Sequence, residues 1–526
     1  MADERYGPVP PPPPLPPPAG SPVTPPDPWS PPPSPGTPGA AEPAWQSPAG
    51  GWSAGTGQPP APGQALGPGQ PPAPGDRRRL PRWLVMIAVA TATASVISFA
   101  AVLLWPASES GPHAPLDFRR FTSVARIDFA TASRTTLTAV RGDRGYAASE
   151  QDGDLHVVAF EVATGAQSWQ RTITGAPQWS RIVATQGGLL VLAYEPDPTI
   201  PRRMFVLDPE TGEERWHQDV RGDDQLFFLR DALGWLDRDR GELRGLDLAT
   251  GGDRWRVDLP EGEPTVLPVT SDADLARPTD LRGDPSPGAG DNRIVVVAPD
   301  RSVRVIDGDD GRIVSERDNL AGPDDLLLAY QGRLFIAAAE PGYRLDSYDL
   351  AALSEVSQAH YEAPDAERYP DQLAACGGRV CLLETVSFDR DTTELVAVDA
   401  VDGGELWRAP AAGAEQLLGV GEWVAAAANV DFEPSVVVYD RAGEPVLERE
   451  GLVVRLNDSN LLVLTGIGAI TGGVSVAGAA IEGWDGDPFE VGRLPEGVLE
   501  QECSWNERHL VCPDRSGVDI WQFAVD

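Results

Sequence analysis

The stretch MFVLDPETGEERW, from Met204 to Trp216, decides the fold of this chain. It begins as an apolar strand, reaches Asp208, turns through Gly212 and ends on Trp216. An Asp side chain in this position can bind the amides of the turn that follows it, and glycine supplies the positive φ that the turn needs. Tryptophan is a broad, flat side chain that packs well between neighbouring sheets. The stretch therefore predicts a strand, a tight turn and an outer strand that docks on the next sheet.

The same frame returns along the chain, and we assign its residues structural roles in the turn and in docking. The acid, the glycine and the tryptophan of the four full copies are Glu161, Gly165 and Trp169; Asp208, Gly212 and Trp216; Asp247, Gly251 and Trp255; Asp399, Gly403 and Trp407. Degenerate copies follow Asp307, Asp349 and Asp440. Successive acidic positions are about 39 to 60 residues apart, a period typical of propellers and solenoids.

Short strands punctuated by Gly, Asp and Pro continue to the end of the chain, with no helical period. They form nine candidate hairpins, and the last of these has no chain left for its outer strand. Phe121–Phe129 is placed to supply that strand and so to close a ring. Eight blades is the commoner number for this repeat, so we expect two hairpins to share one blade, with nine blades as the alternative. Pro264–Asn292 is rich in Asp, Pro and Gly and predicts a long surface loop.

The N-terminal part has a different composition. Residues 1–81 contain 28 prolines and predict a disordered cytoplasmic tail, either a solvated spacer or a docking segment for a cytoplasmic partner. Residues 82–105 predict a transmembrane helix, because 21 uncharged residues lie between Trp83 and Trp105 and can cross a hydrocarbon core of about 30 Å. A cleaved signal peptide is the alternative, but its apolar core would be shorter and nearer the N-terminus.

The charges on either side of the span indicate its orientation. Arginines at positions 77–79 and 82 precede it and none follows directly, so the tail should be cytoplasmic and the C-terminal domain extracellular. Residues 106–117 are then a linker, and residues 118–526 are the propeller. Acidic and basic residues balance through residue 82, so the formal net charge of −37 lies in the remainder. Such an acidic domain repels phosphate backbones, which excludes nucleic acid as a partner.

The four cysteines lie in the exported part, where disulfides persist. Three pairings are possible. We expect the local one, because Cys376 and Cys381 face each other across one hairpin and Cys503 and Cys512 across another. These disulfides would be structural. The five histidines show no zinc-binding spacing, so we expect no metal site.

A strand followed by D-x-x-T-G-x-x-x-W, recurring at this spacing, resembles the pyrroloquinoline-quinone-like (PQQ-like) repeat propellers. The resemblance covers about residues 120–526 and implies an all-β, eight-bladed (alternatively nine-bladed) propeller. The family includes quinoprotein dehydrogenases, assembly scaffolds and sensor domains, so fold alone does not give function. The enzymes place a disulfide between adjacent cysteines over the quinone, a tryptophan beneath it and a calcium ion nearby. No two cysteines are adjacent here.

These observations predict a single-pass protein of the cell membrane whose extracellular propeller is a non-catalytic binding module, a sensor or a scaffold. We expect a cell-envelope protein or a small ligand at the propeller face, and no cofactor, catalytic residue or metal. A membrane-tethered, PQQ-dependent oxidoreductase is the alternative.

Overall fold

Antiparallel hairpins follow one another along the chain of the computed structural model. The structure describes residues 113–525 except residues 134, 176–177, 280–289, 355, 431–432, 467–472 and 482–486. The predicted tail, the predicted span and the linker up to residue 112 lie outside the described residues. Within the part that is described, no helix is long and apolar enough to span a membrane.

The described strands form nine sheets of four strands each, which we number as blades in chain order. The first strand, β1 (Asp117–Asp128), belongs to the last blade. Blade 1 comprises β2 (Thr136–Arg141), β3 (Arg144–Gln151), β4 (Asp154–Glu161) and β5 (Gln167–Ile173). Blade 2 comprises β6 (Trp179–Ala184), β7 (Leu189–Ala193), β8 (Pro201–Leu207) and β9 (Glu214–Arg221). Blade 3 comprises β10 (Gln225–Phe228), β11 (Ala232–Asp237), β12 (Glu242–Asp247) and β13 (Asp253–Asp258).

A short helix interrupts the next blade. Blade 4 comprises β14 (Thr265–Pro268), the helix α1 (Asp272–Leu275), β15 (Arg293–Val297), β16 (Val303–Asp307) and β17 (Ile313–Arg317). Blade 5 comprises β18 (Leu326–Tyr330), β19 (Arg333–Ala337), β20 (Arg344–Asp349) and β21 (Gln358–Glu362). Blade 6 comprises β22 (Arg368–Ala375), β23 (Arg379–Val386), β24 (Asp389–Asp399) and β25 (Glu405–Pro410).

The last three blades complete the ring. Blade 7 comprises β26 (Ala414–Val420), β27 (Trp423–Val430), β28 (Glu433–Tyr439) and β29 (Pro445–Glu450). Blade 8 comprises β30 (Leu452–Arg455), β31 (Asn460–Thr465), β32 (Ser475–Ala480) and β33 (Phe489–Arg493). Blade 9 comprises a 3-10 turn (Glu500–Glu502), β34 (Ser504–Trp505), β35 (His509–Pro513) and β36 (Gly517–Val525), with β1 as its outer strand.

The all-β propeller predicted from the repeat is confirmed, and it has nine blades. The expectation of eight blades is wrong, because each of the nine hairpins builds a four-stranded sheet of its own and none shares a blade. The predicted closure is confirmed, since β1 pairs antiparallel with β36 from Asp117–Val525 to Asp128–Gly517. The first strand therefore completes the last sheet and joins the two ends of the propeller.

The hydrophobic core lies between neighbouring blades. Residues of one sheet face, such as Ala148 and Val157 of blade 1, pack against Leu189, Val191 and Phe205 of blade 2, and all five are buried. Because successive side chains of a strand alternate between the two faces, both faces of each sheet contribute to such a layer.

The strand order gives the ring two unlike faces. In each blade the turn between the first and second strands lies at the same end as the turn between the third and fourth, and we name this end the a–b face. The turn between the second and third strands lies at the opposite end, the b–c face. The repeat turns that contain Asp208 and Gly212 join third to fourth strands and therefore lie on the a–b face.

Candidate functional site

The repeat acids organise the turns on the a–b face. In three copies one carboxylate oxygen accepts two backbone N–H groups of the following turn, at 2.7–3.1 Å, and these acids are Asp208, Asp247 and Asp399. Glu161 has a longer side chain and instead accepts the hydroxyl of Thr164 at 2.7 Å. A hydrogen bond from the Arg215 guanidinium is the main cause that lowers the pKa of Asp208 to about 2.

The glycine and the tryptophan of the frame meet across the joint between blades. Gly212 has a φ of +70°, and a Cβ built on it would lie 2.5 Å from the ring of Trp169 in the preceding blade. In the same way, a Cβ built on Gly251 would lie 2.6 Å from the ring of Trp216. The indole N–H of each tryptophan donates to a carbonyl of the next blade, and these bonds are Trp169 to Pro209 at 3.1 Å, Trp216 to Leu248 at 3.0 Å, Trp255 to Gly308 at 2.9 Å and Trp407 to Arg441 at 2.9 Å. Each full copy thus fastens its blade to the next one.

Other residues replace the tryptophan in degenerate copies, which the sequence pattern does not reveal. In blade 5 the imidazole of His360 lies 2.9 Å from the carbonyl oxygen of Asp399, and its Cα lies close to Gly403. In blade 4 the Ser315 hydroxyl donates to the carbonyl of Leu350 at 2.6 Å. The turn of blade 5 places Leu353 at φ +43°, where the full copies have glycine.

Two disulfides lie at a–b turns. Cys376 is bonded to Cys381 in blade 6, and Cys503 is bonded to Cys512 in blade 9, the local pairing favoured by their spacing. All four cysteines are buried, and the described residues include no free cysteine. Each disulfide therefore joins parts of one blade inside the core.

Residues 264–279, which include β14 and the start of the insertion between β14 and β15, depart from the expectation of a surface loop at Pro264–Asn292, while residues 280–289 lie outside the described residues. Val269, Asp274, Leu275 and Thr279 are all buried. Ser271, the residue before α1, donates its backbone N–H and its hydroxyl to one carboxylate oxygen of Asp274, and the other carboxylate oxygen accepts the Gly290 amide at 2.7 Å. Residues 269–279 fold inward because their polar groups find partners on the inner strands of other blades. We name residues 269–279 the plug.

Arg455 fixes the far end of the plug. Its guanidinium donates to the carbonyl of Arg277 at 2.7 Å, to that of Asp274 at 3.1 Å and to that of Gly419 in blade 7. The backbones of Arg455 and Thr279 also bond, with the Thr279 N–H donating to the Arg455 carbonyl at 3.0 Å. Burial lowers the pKa of Arg455 to about 10, so the side chain is still protonated at neutral pH.

These contacts place the plug across the ring axis. It starts in blade 4, touches blade 5 through the hydroxyl of Tyr330 on Asp272, and reaches blade 8 at Arg455. In a ring of nine, blades four positions apart are about 160° apart, close to a diameter. Leu275 packs in the same cluster as Ala375 of blade 6. The a–b end of the axial channel is therefore filled by the chain itself.

The b–c face carries an exposed aromatic pair at the tip of blade 6. β23 and β24 are joined by Ser387 and Phe388, whose φ values are +53° and +62°. Two-residue turns of this kind favour Asn-Gly, because both positions need a left-handed backbone. Phe388 is 71% exposed, and its ring centroid lies 3.9 Å from that of Tyr369 on β22. Val356 and Val401 are also exposed, but their backbones have no positive φ. Phe388 combines exposure with backbone strain.

A buried charged network supports this tip. Glu384 on β23 is fully buried and accepts the hydroxyls of Tyr343 and Tyr361 of blade 5, each at 2.8 Å. It also binds the guanidinium groups of Arg368, at 2.6 Å, and Arg408. Burial raises the pKa of both tyrosines, so they remain neutral donors. The network holds the strands beneath Phe388 and Tyr369 in one arrangement. A lone Glu within the apolar run VCLLETV is its only signal in the sequence.

The described residues do not fit a quinone site. Both disulfides are bonds within single blades, and the repeat tryptophans lie against turn glycines at the blade joints. In the part of the chain that the structure describes, no group of three or more His, Cys, Asp or Glu side chains is arranged to hold a metal ion. No reaction step through such a cofactor follows from this arrangement.

Comparison with known families agrees with this geometry. The family model described as "Outer membrane protein assembly factor BamB" matches residues 151–277 and 239–428, which together span more than half of the chain. The chain belongs to this family of PQQ-like propellers. A search of curated proteins finds no match to the sequence.

Several solved structures are similar to this PQQ-like propeller. BamB from Moraxella catarrhalis is 14% identical with a TM-score of 0.37, and the match covers 77% of this chain and 98% of that chain. The computationally designed Ika8 protein is 14% identical with a TM-score of 0.39, covering 78% and 100%. The quinohemoprotein alcohol dehydrogenase from Comamonas testosteroni is 14% identical with a TM-score of 0.34, covering 61% and 68%.

The glycine–tryptophan joint predicts a graded loss of stability. Gly251→Ala should lower the free energy of unfolding by about 3 kcal/mol, because the new Cβ strains a left-handed residue and overlaps the ring of Trp216. Gly241→Ala in the same blade is the control, since its φ is +65° but no atom lies within 4 Å of the added Cβ. It should cost only about 1 kcal/mol. If denaturant unfolding showed equal losses of stability in Gly251→Ala and Gly241→Ala, the contact between Gly251 and Trp216 would not stabilise the joint between the blades.

The plug predicts a local effect of Arg455→Met. Removing the guanidinium takes away a hydrogen-bond donor from the carbonyls of Arg277, Asp274 and Gly419, which should cost about 3 kcal/mol. Hydrogen exchange of the Thr279 amide should accelerate at least about tenfold. Arg441→Met is the matched control, because the Arg441 side chain is 79% exposed and should change neither quantity. Unchanged exchange at the Thr279 amide in the Arg455 variant would show that Arg455 does not hold the plug in place.

The strained turn of blade 6 predicts that two variants change stability in opposite directions. The double variant Ser387→Asn, Phe388→Gly should raise the free energy of unfolding by about 1 kcal/mol, because the relief of strain at two left-handed residues outweighs the lost contact with Tyr369. Phe388→Ala should lower it, because the strain remains and the contact with Tyr369 is lost. Thermal unfolding of the two variants checks the prediction, and a loss of stability in the double variant would show that the turn is not strained.

Proposed function

We propose that this protein is a single-pass membrane protein whose extracellular PQQ-like propeller binds a cell-envelope protein without catalysing a reaction. The predicted cytoplasmic tail would engage a second partner inside the cell. The family model carries the description of an outer membrane protein assembly factor, and a binding role for the propeller is consistent with it. Two disulfides within the propeller support an extracellular location.

The observation that carries the binding role is the tip of blade 6. Strained backbone persists at a protein surface when the surrounding structure holds it, and such strain gathers at sites that bind. Here an aromatic ring is held out into solvent on a left-handed residue, above the rigid network around Glu384. Exposed aromatic side chains are the residues that most often anchor protein interfaces. We therefore assign Phe388, with Tyr369 beside it, as the anchor of the partner.

The path of the chain favours the b–c face as the binding face. Residues 113–116 bind the a–b turn of blade 8, with the His113 amide donating to Asp458 at 2.9 Å and the Leu116 amide donating to Asn460 at 2.9 Å. The polypeptide thus enters the propeller at the a–b face. A tether at that face leaves the b–c face and its aromatic tip open to a partner.

Site-specific photocrosslinking in whole cells tests the partner face. A benzophenone amino acid at position 388 of the full-length protein should give one discrete adduct on irradiation. The same group at Leu406, which is 51% exposed on an outer strand, is the control and should give none. Adducts at both positions, or at neither, would contradict the assignment of the tip as the anchor.

Topology and chemistry are tested separately. Alkaline phosphatase fused after residue 526 should be active, and the same enzyme fused before residue 1 should be inactive. The reverse pattern would overturn the predicted orientation.

Incubation of the full-length protein with PQQ and Ca²⁺ should produce no dye reduction with alcohols or sugars. Quinone absorbance together with dye reduction would replace the binding role by the oxidoreductase alternative.

A further inference from the structure

The surroundings of the aromatic pair on the b–c face determine which chemistry fits there. Strands alternate in direction within each blade, so the connection from a fourth strand to the next blade also lies on this face. The connection from β21 to β22 runs beside the tip, because the carbonyl of Glu367 accepts the amide of Ser387 at 2.9 Å. The tip therefore brings together residues of two segments, 363–367 and 387–391.

Both segments carry carboxylates that are exposed to solvent. Local hydrogen bonds hold them beside the rings, since the Glu367 amide donates to Asp365 at 3.1 Å and the Asp391 amide donates to Asp389 at 3.1 Å. Asp389 also follows Phe388 directly in the chain. The exposed rings therefore lie among negative charges. We name these four residues the acidic collar: Asp365, Glu367, Asp389 and Asp391.

Arg390 is the cationic residue nearest to Phe388 in the sequence, and it faces carboxylates outside the collar. Its Nη1 atom lies 3.1 Å from Asp371, and its Nε atom lies 3.7 Å from Glu415. Neither Glu367 nor Asp391 forms an ion pair with another described residue. These two negative charges are therefore available to a partner.

The buried network beneath the tip does not offset the charge of the collar. It contains two guanidinium groups, those of Arg368 and Arg408. Both groups bind the carboxylates of Glu384 and Glu394. Arg368 also binds Asp365 of the collar at 2.9 Å. Two positive charges thus meet three negative charges, and none is left over for the rest of the collar.

The aromatic pair attracts the same kind of charge as the collar. Tyr369 covers one side of the Phe388 ring, with 3.9 Å between the two centroids, and Phe388 is still 71% exposed. The face of an aromatic ring is partly negative, and it attracts a cation within about 6 Å of its centroid. A guanidinium group also stacks on such a face because it is planar. The ring and the collar together therefore favour a cationic side chain.

We propose that the tip binds an Arg- or Lys-rich segment of the partner protein, with one cationic side chain on the open face of Phe388 and others facing the acidic collar. This inference rests on the proposed binding role of the tip and names the chemistry of the partner. The collar repels an acidic segment. An apolar segment would take water away from the carboxylates without supplying a positive charge, which is unfavourable.

Photocrosslinking from position 388 of the full-length protein tests the need for negative charge. In the triple variant Glu367→Gln, Asp389→Asn, Asp391→Asn the yield of adduct should fall at least about tenfold, because three carboxylates that attract the partner are removed. The carboxamide at position 389 keeps an oxygen that can accept the amide of residue 391. The melting temperature of the triple variant should therefore match that of the wild type.

A control variant carries the same change of charge on other blades of the b–c face. Asp152→Asn, Glu261→Gln, Glu263→Gln alters three exposed acids, one in the b–c turn of blade 1 and two in the connection from blade 3 to blade 4. Its adduct yield should equal that of the wild type. An equal loss in both triple variants would show that the net charge of the propeller acts rather than the collar, and would overturn the inference.

Mass spectrometry of the adduct identifies the bound segment. An Arg or Lys should lie within about four residues of the crosslinked position, the distance that an extended chain needs to span the tip. A segment without Arg or Lys, a segment of a second copy of this chain, or an unchanged yield in the collar variant would overturn the inference and leave Phe388 as the anchor. If position 388 gave no adduct with the collar intact, the anchor and the inference would both be wrong.

Discussion

Strand β1 hydrogen-bonds with β36 over eight residue pairs, which brings the first described strand onto the last sheet. A propeller without this contact would have an open blade at each end, and its exposed strand edges would favour aggregation. Ile127 of β1 is buried against Val518 and Ile520, so the closing strand contributes apolar packing as well as hydrogen bonds. Every other joint of the ring depends on this closure, because each blade packs on its two neighbours.

Closure also explains why the plug can bind where it does. A segment from blade 4 reaches Arg455 in blade 8 only if the ring holds these blades on opposite sides of a narrow channel. The buried guanidinium then finds carbonyl acceptors from two directions, the plug and Gly419. The two faces of the ring consequently differ. The a–b face holds the plug, and the b–c face presents Phe388.

The repeat frame and the ring closure could be predicted from the sequence because both depend on local patterns. Asp208, Gly212 and Trp216 lie within one turn and one strand, and the missing outer strand of the last hairpin pointed to the N-terminal end. The nine hairpins read from the sequence match the nine blades, and the expectation of eight arose because the sequence does not show which strands pair in one sheet. The burial of the plug depends on Arg455, which is remote in sequence, so composition alone suggested a surface loop.

The candidate sites were even less accessible to sequence reasoning. Ser387 and Phe388 form a turn that their residue types do not favour, so no turn signal marks the tip. His360 replaces a tryptophan only because the turn of blade 5 is longer than in the full copies.

Hydrogen–deuterium exchange of the intact protein, followed by peptic digestion, tests the closed and plugged ring most directly. Peptides that cover β1 and residues 269–279 should be protected for as long as those that cover β23 in the core of blade 6, because their amides are released only when the ring opens. Exchange of the β1 or plug amides within seconds, while β23 remains protected, would show that the ring is open or that its channel is not filled.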